Sequence, residues 1–177
     1  MTQADWHSFS LRYWTLIREF PADLCGFSQY DEFAAEGVEP CVALATQIPK
    51  DSTVLDIGSG GGLPGLVFAF LQPHAQVHLL EPRRKRWAFL REAAARLGLK
   101  NATPHLGQWP GYEFPARLRF DRVSVRGLKL SPAMITALRP RLKLEAEFLL
   151  FHADNGARVR QAGLRVSMGN SPGGEPL

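Results

Sequence analysis

The residue types best suited to chemistry lie where a short apolar segment gives way to glycines. The segment Thr53–Ile57 carries one acid, Asp56, and the glycine-rich sequence Gly58–Gly65 follows it directly. Glycine adopts positive φ and has no Cβ, so a ligand can approach the backbone of such a loop closely. Two ligand-binding patterns fit the spacing. One is the dinucleotide fingerprint G-x-G-x-x-G, formed by Gly60, Gly62 and Gly65. The other is an acidic residue followed by three alternating glycines, Asp56, Gly58, Gly60 and Gly62.

The second pattern resembles the S-adenosylmethionine loop of class I methyltransferases. Asp56 favours this interpretation, because a carboxylate at a strand end that faces the loop suits the cationic amino group of a methionine moiety. A pyrophosphate prefers a helix N-terminus without a nearby anion, which argues against a dinucleotide. Dinucleotide binding and a tight strand-to-helix turn without a ligand remain as alternatives.

Side chains after the next two strands fit a nucleoside. Glu81 ends the second predicted strand, where a carboxylate can accept hydrogen bonds from both ribose hydroxyls. Gln108 and Trp109 follow the third predicted strand, where Trp109 would stack on an adenine ring and Gln108 would read its edge. The structural alternatives are a solvent-exposed Glu and, with Pro110 next in the chain, a plain turn.

Positive charge is concentrated in the second half of the chain. Residues 1–81 hold 3 Lys/Arg and 10 Asp/Glu, whereas residues 82–177 hold 18 and 7, an asymmetry typical of a polyanion partner. Four cations, Arg83, Arg84, Lys85 and Arg86, open a predicted helix against its macrodipole, and phosphate binding would explain them. Arg126 follows the fourth predicted strand, where a guanidinium could hold a methionine carboxylate, an RNA backbone or a base edge. Solvated helix faces and a surface ion pair are the alternatives.

The residues also limit the type of reaction. Transfer to cytosine C5 usually needs a thiolate, and both cysteines, Cys25 and Cys41, precede the glycine loop. The fourth predicted strand leads into Ser124–Gly127 rather than the Asp/Asn-Pro-Pro-aromatic motif of amino-group methyltransferases. The five histidines form no metal-ligand pattern, so no metal is expected. Guanine N7 carries a lone pair and no proton, so its methylation needs placement rather than a base. An arginine-lined site is consistent with N7 transfer.

Strands alternate with helices from residue 52 onward, which predicts an α/β fold. The predicted strands are Thr53–Ile57, Gln76–Leu80, Ala102–Leu106, Arg119–Val125 and Glu147–His152, with helices at Pro64–Leu71, Arg84–Leu97 and Pro132–Leu138. Such units form a mostly parallel sheet with helices on both faces and ligands at the carboxyl ends of the strands. Earlier helices are predicted at Trp6–Phe20 and within Asp31–Ile48, the second broken or kinked near Gly37 and Pro40.

The same pattern predicts an N-terminal helical cap over residues 1–48, a ligand-binding core over 49–168 and a flexible tail over 169–177. We see no secretory signal and no apolar run of the length that a membrane span needs. With only two cysteines, the chain is expected in the reducing cytoplasm, with no membrane partner.

The chain resembles the bacterial 16S ribosomal RNA guanine-N7 methyltransferases, the glucose-inhibited division protein B family. The resemblance rests on Val54–Leu66, whose Leu63-Pro64-Gly65 ending is characteristic of that family. It continues through Lys85-Arg86, Phe89-Leu90, Leu97-Gly98-Leu99 with Asn101, and Phe120-Asp121 onward to Arg126.

The resemblance implies a Rossmann-like class I methyltransferase fold, S-adenosyl-L-methionine as methyl donor, and ribosomal RNA or the small ribosomal subunit as partner. Gly58, Leu63, the turn Gln108–Pro110 and Arg126 occupy positions that the family uses around its cofactor. The antiparallel hairpin that usually ends the sheet is expected to be incomplete, because the chain ends soon after Leu164–Ser167.

We therefore expect a methyltransferase acting on guanine N7 in 16S ribosomal RNA. The predicted cofactor-binding residues are Asp56, Gly58, Ser59, Gly60, Gly62, Leu63, Glu81, Gln108, Trp109, Pro110 and Arg126. Arg126 is also the predicted catalytic residue, and Arg83, Arg84, Lys85 and Arg86 are predicted to bind the substrate. The alternatives are a methyltransferase of a small molecule or protein, with a closed apolar acceptor pocket, and a non-catalytic relic that binds RNA or the cofactor without turnover.

Overall fold

The computed structural model describes residues 3–154 and 158–165. The first half of the chain contains α1 (Gln3–Glu19), α2 (Tyr30–Glu32), a π-helix (Phe33–Val38), α3 (Glu39–Ala45), β1 (Thr53–Ile57), α4 (Gly65–Leu71) and β2 (Gln76–Glu81). The second half contains α5 (Arg84–Arg96), β3 (Ala102–Leu106), β4 (Phe120–Arg126), α6 (Pro132–Leu138), a 3-10 turn (Arg139–Arg141), β5 (Leu142–Asp154) and β6 (Arg158–Arg165).

The described strands form one sheet in the order β3-β2-β1-β4-β5-β6. The strands β1 to β5 run parallel, and β6 runs antiparallel to β5. The predicted α/β fold with a mostly parallel sheet is confirmed. Because parallel strands direct their carboxyl ends to the same edge, the loops after β1, β2, β3 and β4 meet there.

The fifth strand is longer than the sequence predicted. Leu142 pairs with Phe120, and the register then shifts so that Arg122 pairs with Glu147. This irregularity interrupts the in-out alternation of side chains, and Leu144 is left 73% exposed. The segment before Glu147 therefore lacks the pattern by which a buried strand is recognised.

Within the described residues one antiparallel strand, β6, follows β5; the prediction that the last hairpin is incomplete also concerns residues after Arg165, which lie outside the described residues. Pairs run from Glu147 with Arg165 to Asp154 with Arg158, so β6 covers the last eight residues of β5. The sequence of β6 does not show the apolar alternation that predicts a strand, because its eight residues include three arginines, a glutamine and a glycine. The predicted tail over residues 169–177 lies outside the described residues.

Alternate residues of the strands supply two cores on opposite faces of the sheet. In β1, Val54 joins the core formed with α4, α5 and the N-terminal helices, whereas Leu55 and Ile57 join the core around Phe114 and Phe120. The helix α1 contributes an aromatic face to the first core. Its Phe9 ring stacks on Phe70 at 4.1 Å between centroids.

The predicted kink near Gly37 and Pro40 is a π-helix. Pro40 has no amide hydrogen, so it cannot continue an α-helical ladder of hydrogen bonds. Gly37 provides space, because a Cβ there would lie only 3.1 Å from Phe27 Cε2 and 3.2 Å from Leu63 Cδ1. Among the helices in the described ranges, none has the length and apolar character that a bilayer crossing requires.

Candidate active site

A cavity of about 780 Å³ lies at the carboxyl ends of the strands, within the usual size range of ligand pockets. Its wall includes residues at or after the carboxyl ends of four different strands, in the loops and at the start of the helices that follow. They are Gly58–Gly61 and Leu63 after β1, Glu81, Pro82, Arg83 and Arg86 after β2, Gly107–Pro110 after β3, and Arg126–Leu128, Ser131, Ala133 and Met134 after β4. The topology thus brings together most of the predicted site residues.

The backbone of the glycine loop lines this cavity at Gly58–Gly61. Gly58 and Gly60 have φ of 73° and 56°, the left-handed region that disfavours other residues. The amides of Gly58 and Ser59 donate to the carbonyl of Leu80 at 2.8 and 3.1 Å, which fixes the loop to β2. A Cβ at Gly60 would have no heavy atom nearer than Arg86 Nη1 at 3.6 Å. The loop backbone is therefore open to a ligand at this point.

The later glycines of the loop serve close packing instead. Gly62 does not line the cavity, and a Cβ there would lie 2.7 Å from Leu66 Cγ. A Cβ at Gly65 would lie 2.7 Å from Asp56 Oδ2 and would overlap the Leu79 side chain. These glycines let α4 pack against the sheet directly after the loop.

Asp56 lies beneath the loop rather than in the cavity. The sequence predicted that its carboxylate faces the loop and a bound cation, but only 1% of the residue is exposed. Parallel pairing places Ser124 beside Asp56, and Ser124 Oγ donates to Asp56 Oδ1 at 2.7 Å. The other oxygen, Oδ2, has no hydrogen-bond partner. Burial raises the pKa of Asp56 to about 6, although the Ser124 hydrogen bond opposes this shift.

Glu81 provides a buried carboxylate in the cavity wall. Its Oε2 accepts a hydrogen bond from the Gly60 amide and its Oε1 accepts one from the Arg83 amide, both at 2.8 Å. Only 3% of the residue is exposed. The two amides hold the carboxylate in one orientation, and each oxygen keeps a lone pair for a hydroxyl donor.

The turn after β3 is anchored to the helix after β4. Trp109 lines the cavity but is only 8% exposed, and its Nε1 donates to the carbonyl of Met134 at 3.1 Å. Gln108 and Pro110 line the cavity beside it. The turn lies beside the end of β2, because the Gly107 amide donates to the Glu81 carbonyl at 3.1 Å.

The four predicted phosphate-binding cations separate into two pairs. Arg83 and Arg86 line the cavity, whereas Arg84 and Lys85 are exposed and do not line it. Arg86 Nε donates to the carbonyl of Asp23 at 3.2 Å, which connects α5 to the segment after α1.

Arg126 lies at the cavity wall, but its guanidinium contacts the N-terminal helices. One terminal nitrogen donates to the carbonyl of Gly37 at 2.7 Å and the other to the carbonyl of Glu36 at 2.8 Å. The guanidinium carbon also lies 5.4 Å from the centre of the Phe151 ring. Arg126 thus connects the end of β4 to the π-helix.

Sequence reasoning missed the part of the site that comes from the segment after α1. Leu24–Phe27 and Ile17 line the cavity. A Cβ at Gly61 would lie 2.5 Å from the Leu24 carbonyl oxygen, and the Tyr13 hydroxyl donates to the Gly61 carbonyl. Leu24–Phe27 has neither helical nor strand periodicity, so only the close approach permitted by Gly61 could have indicated the contact.

A histidine pair lies outside the cavity. His78 Nδ1 and His105 Nε2 are 2.9 Å apart, and His105 Nδ1 is 2.9 Å from the Tyr112 hydroxyl. Burial and, to a lesser extent, the neighbouring His105 lower the pKa of His78 to about 4. Within residues 3–154 and 158–165, no group of three or more His, Cys, Asp or Glu side chains is placed to hold a metal.

Solved structures share this architecture at low sequence identity. Precorrin-6y C5,15-methyltransferase from Geobacter metallireducens aligns with a TM-score of 0.58 and 20% identity, over 76% of this chain and 68% of that chain. Coclaurine N-methyltransferase bound to N-methylheliamine and SAH aligns with a TM-score of 0.61 and 16% identity, over 85% of this chain and 53% of that chain. The fold is that of the class I S-adenosylmethionine-dependent methyltransferases.

Comparison of the sequence with protein families identifies one family within this fold. The profile of the GidB family, rRNA small subunit methyltransferase G, matches residues 12–162, and the chain belongs to this family. Ribosomal RNA small subunit methyltransferase G of Beutenbergia cavernae is 38% identical over 70% of this chain and 53% of its own length. The relative with that name in Acidothermus cellulolyticus is 41% identical over 51% of this chain and 40% of its own length. The chain thus spans about half the length of these curated relatives, or less.

Proposed function

We propose that the chain binds S-adenosyl-L-methionine and transfers a methyl group to N7 of a guanine in 16S ribosomal RNA. The observation that carries the proposal is the open backbone of Gly58 and Gly60 beside the buried Glu81 carboxylate, in one cavity. Membership of the rRNA small subunit methyltransferase G family supports methyl transfer to ribosomal RNA.

The residues present fit this cofactor. Glu81 would accept hydrogen bonds from the ribose hydroxyls, because its orientation is already fixed by two backbone amides. The turn Gln108–Pro110 would contact the adenine, and Gly58, Ser59, Gly60 and Leu63 would contact the methionine portion. Asp56 would have no contact with the cofactor and would instead support the loop. Its carbonyl accepts a hydrogen bond from Ser59 Oγ, and its side chain accepts one from Ser124 Oγ. The bound cofactor would supply an electrophilic methyl group.

The chain's own work on the acceptor is then positioning. Guanine N7 has a lone pair and no proton, so methyl transfer to it needs no general base. The chain has only to hold N7 in line with the methyl group of the cofactor, in a site shielded from water. Arg83 and Arg86 at the cavity and the exposed pair Arg84 and Lys85 would bind RNA phosphates. We also propose that residues 1–48 form a cap over the core of residues 49–168. Small ribosomal subunits are cytoplasmic, and this assignment makes the cytoplasm the site of action.

The first test is calorimetric titration with S-adenosylmethionine and, separately, with NADH. The wild type should bind S-adenosylmethionine and not NADH, and Glu81→Gln should weaken binding by roughly tenfold or more, since a charged acceptor is lost. Glu145→Gln, an exposed carboxylate on β5, is the matched control and should bind normally. Binding of NADH instead would reject the methyltransferase assignment.

The second test is methyl transfer to isolated 16S ribosomal RNA and to small subunits, with the labelled product digested to nucleosides. The expected product is 7-methylguanosine, and any other methylated nucleoside would reject N7 transfer. Arg84→Glu with Lys85→Glu should weaken RNA binding and reduce its salt dependence, with the affinity for S-adenosylmethionine unchanged. Cofactor binding without transfer to either RNA substrate would indicate a non-catalytic protein.

A further inference from the structure

Arg126 is joined to residues 90 positions earlier in the chain. Its two terminal nitrogens donate to successive carbonyls, those of Glu36 at 2.8 Å and Gly37 at 2.7 Å. The Cys41 thiol also donates to the Gly37 carbonyl, at 3.1 Å, and lies 3.6 Å from the guanidinium. Such a fork across two adjacent carbonyls fits the planar geometry of arginine and not the single ammonium group of lysine.

The sequence explains why these carbonyls take a donor from another element. In an α-helix the carbonyl of Glu36 would accept from the amide of residue 40, which is proline and has no hydrogen to donate. The chain widens there into the π-helix, in which the Glu39 amide donates to the carbonyl of Ala34. At this point of the chain Arg126 donates a hydrogen bond to the Glu36 carbonyl from another element.

The fastened segment supports the wall of the cavity. Gly37 lies against Phe27 and Leu63, which both line the cavity, and a Cβ at Gly37 would lie 3.1 and 3.2 Å from their side chains. Arg126 also lines the cavity. Movement of the π-helix would therefore displace two side chains that line the cavity.

We propose that Arg126 is a positioning residue, which replaces the missing Pro40 donor and fastens the N-terminal helices against the cofactor cavity. The sequence predicted that Arg126 contacts cofactor and base; in the structure its guanidinium contacts the carbonyls of Glu36 and Gly37. The cofactor readout below rests on the proposed function, whereas the hydrogen-exchange readout does not.

The test is a double-mutant cycle between Pro40 and Arg126. Arg126→Gln should speed amide hydrogen exchange in residues 33–45 by about tenfold or more, since two charge-assisted hydrogen bonds are lost. Pro40→Ala restores an amide at position 40, so Pro40→Ala with Arg126→Gln should recover most of that protection. Arg139→Gln, an exposed arginine of the 3-10 turn, is the control and should exchange like the wild type.

Kinetics distinguish positioning from contact with the reactants. Arg126→Gln should raise KM for S-adenosylmethionine by about tenfold and lower kcat by less than about threefold, and Pro40→Ala should rescue KM in the double variant. Arg126→Lys should show intermediate exchange, and it serves as the test if Arg126→Gln does not fold. Normal exchange in the Arg126 variants, or loss of kcat at saturating cofactor without rescue, would overturn the proposal. If the wild type transfers no methyl group, the exchange cycle still decides it.

Discussion

Replacing Asp56 by Asn should stabilise the fold at neutral pH, and the gain should fade in acid. The carboxyl group is 1% exposed, and burial raises its pKa from 3.8 to about 6. Since the folded state holds this proton more tightly than the unfolded chain, the associated stability is fully present below pH 3.8. It is lost as the pH rises through about 6. At 1.36 kcal/mol per pKa unit, burying the ionised group costs about 3 kcal/mol at pH 7.

The measurement is urea unfolding of both proteins between pH 4.5 and 7.5. The stability difference between Asp56→Asn and the wild type should grow by about 2 kcal/mol across this range. For a chain of this size, this corresponds to a shift of about 4–8 °C in Tm. His78 titrates in both proteins, so its contribution cancels in the difference. A difference that does not change with pH would refute the burial of an ionisable Asp56.

Three further outcomes follow from the packing around the site. Gly65→Ala should lower the free energy of unfolding in urea by about 1–3 kcal/mol, because the new Cβ would overlap the Leu79 side chain. Gly26→Ala is the control and should be neutral, because a Cβ at Gly26 would have no atom within 4 Å. Equal effects of the two substitutions would contradict this packing. Tyr13→Phe should lose about 1 kcal/mol in the same assay, as the Gly61 carbonyl loses its donor, and an unchanged midpoint would contradict the contact. The pKa of His78 is lowered by burial to about 4, so stability present above pH 6.5 is lost as the pH falls through 4. His78→Gln should therefore flatten the acid side of the stability profile, and an unaltered profile would argue against a neutral buried imidazole.

The sequence predicted the fold well wherever a local pattern reflects burial. The strand at Thr53–Ile57 is found with the predicted bounds. The helix α5 has Leu97 as its C-cap, and Gly98 follows with φ of 73°, as the sequence predicted for the end of this helix. The start of β5 and the whole of β6 were missed. Pairing in the sheet decides these segments, and neither a register shift nor an arginine-rich edge strand leaves an apolar alternation to detect.

The site was predictable in its loops and not in its side-chain directions. The residues Gly58, Glu81 and Gln108 line the cavity because strand ends in a parallel sheet must converge. Asp56 was predicted at the right place in the chain, but its direction depends on Ser124, which is 68 residues away. The contacts of Arg126 depend likewise on the carbonyls of Glu36 and Gly37, which lie far away in the chain.

The hydrogen bonds between the N-terminal helices and Arg126 can form only late in synthesis of the chain. A ribosome makes α1 to α3 first, but the guanidinium that fastens them belongs to a residue added 90 positions after Glu36. At usual elongation rates this interval is on the order of 10 s. In the first part of that time, before residues 58–71 have been made, the aromatic face of α1, with Phe9 and Tyr13, has neither α4 nor the glycine loop to cover it. The helices α1 to α3 therefore reach their full set of contacts only after the end of β4 has been made.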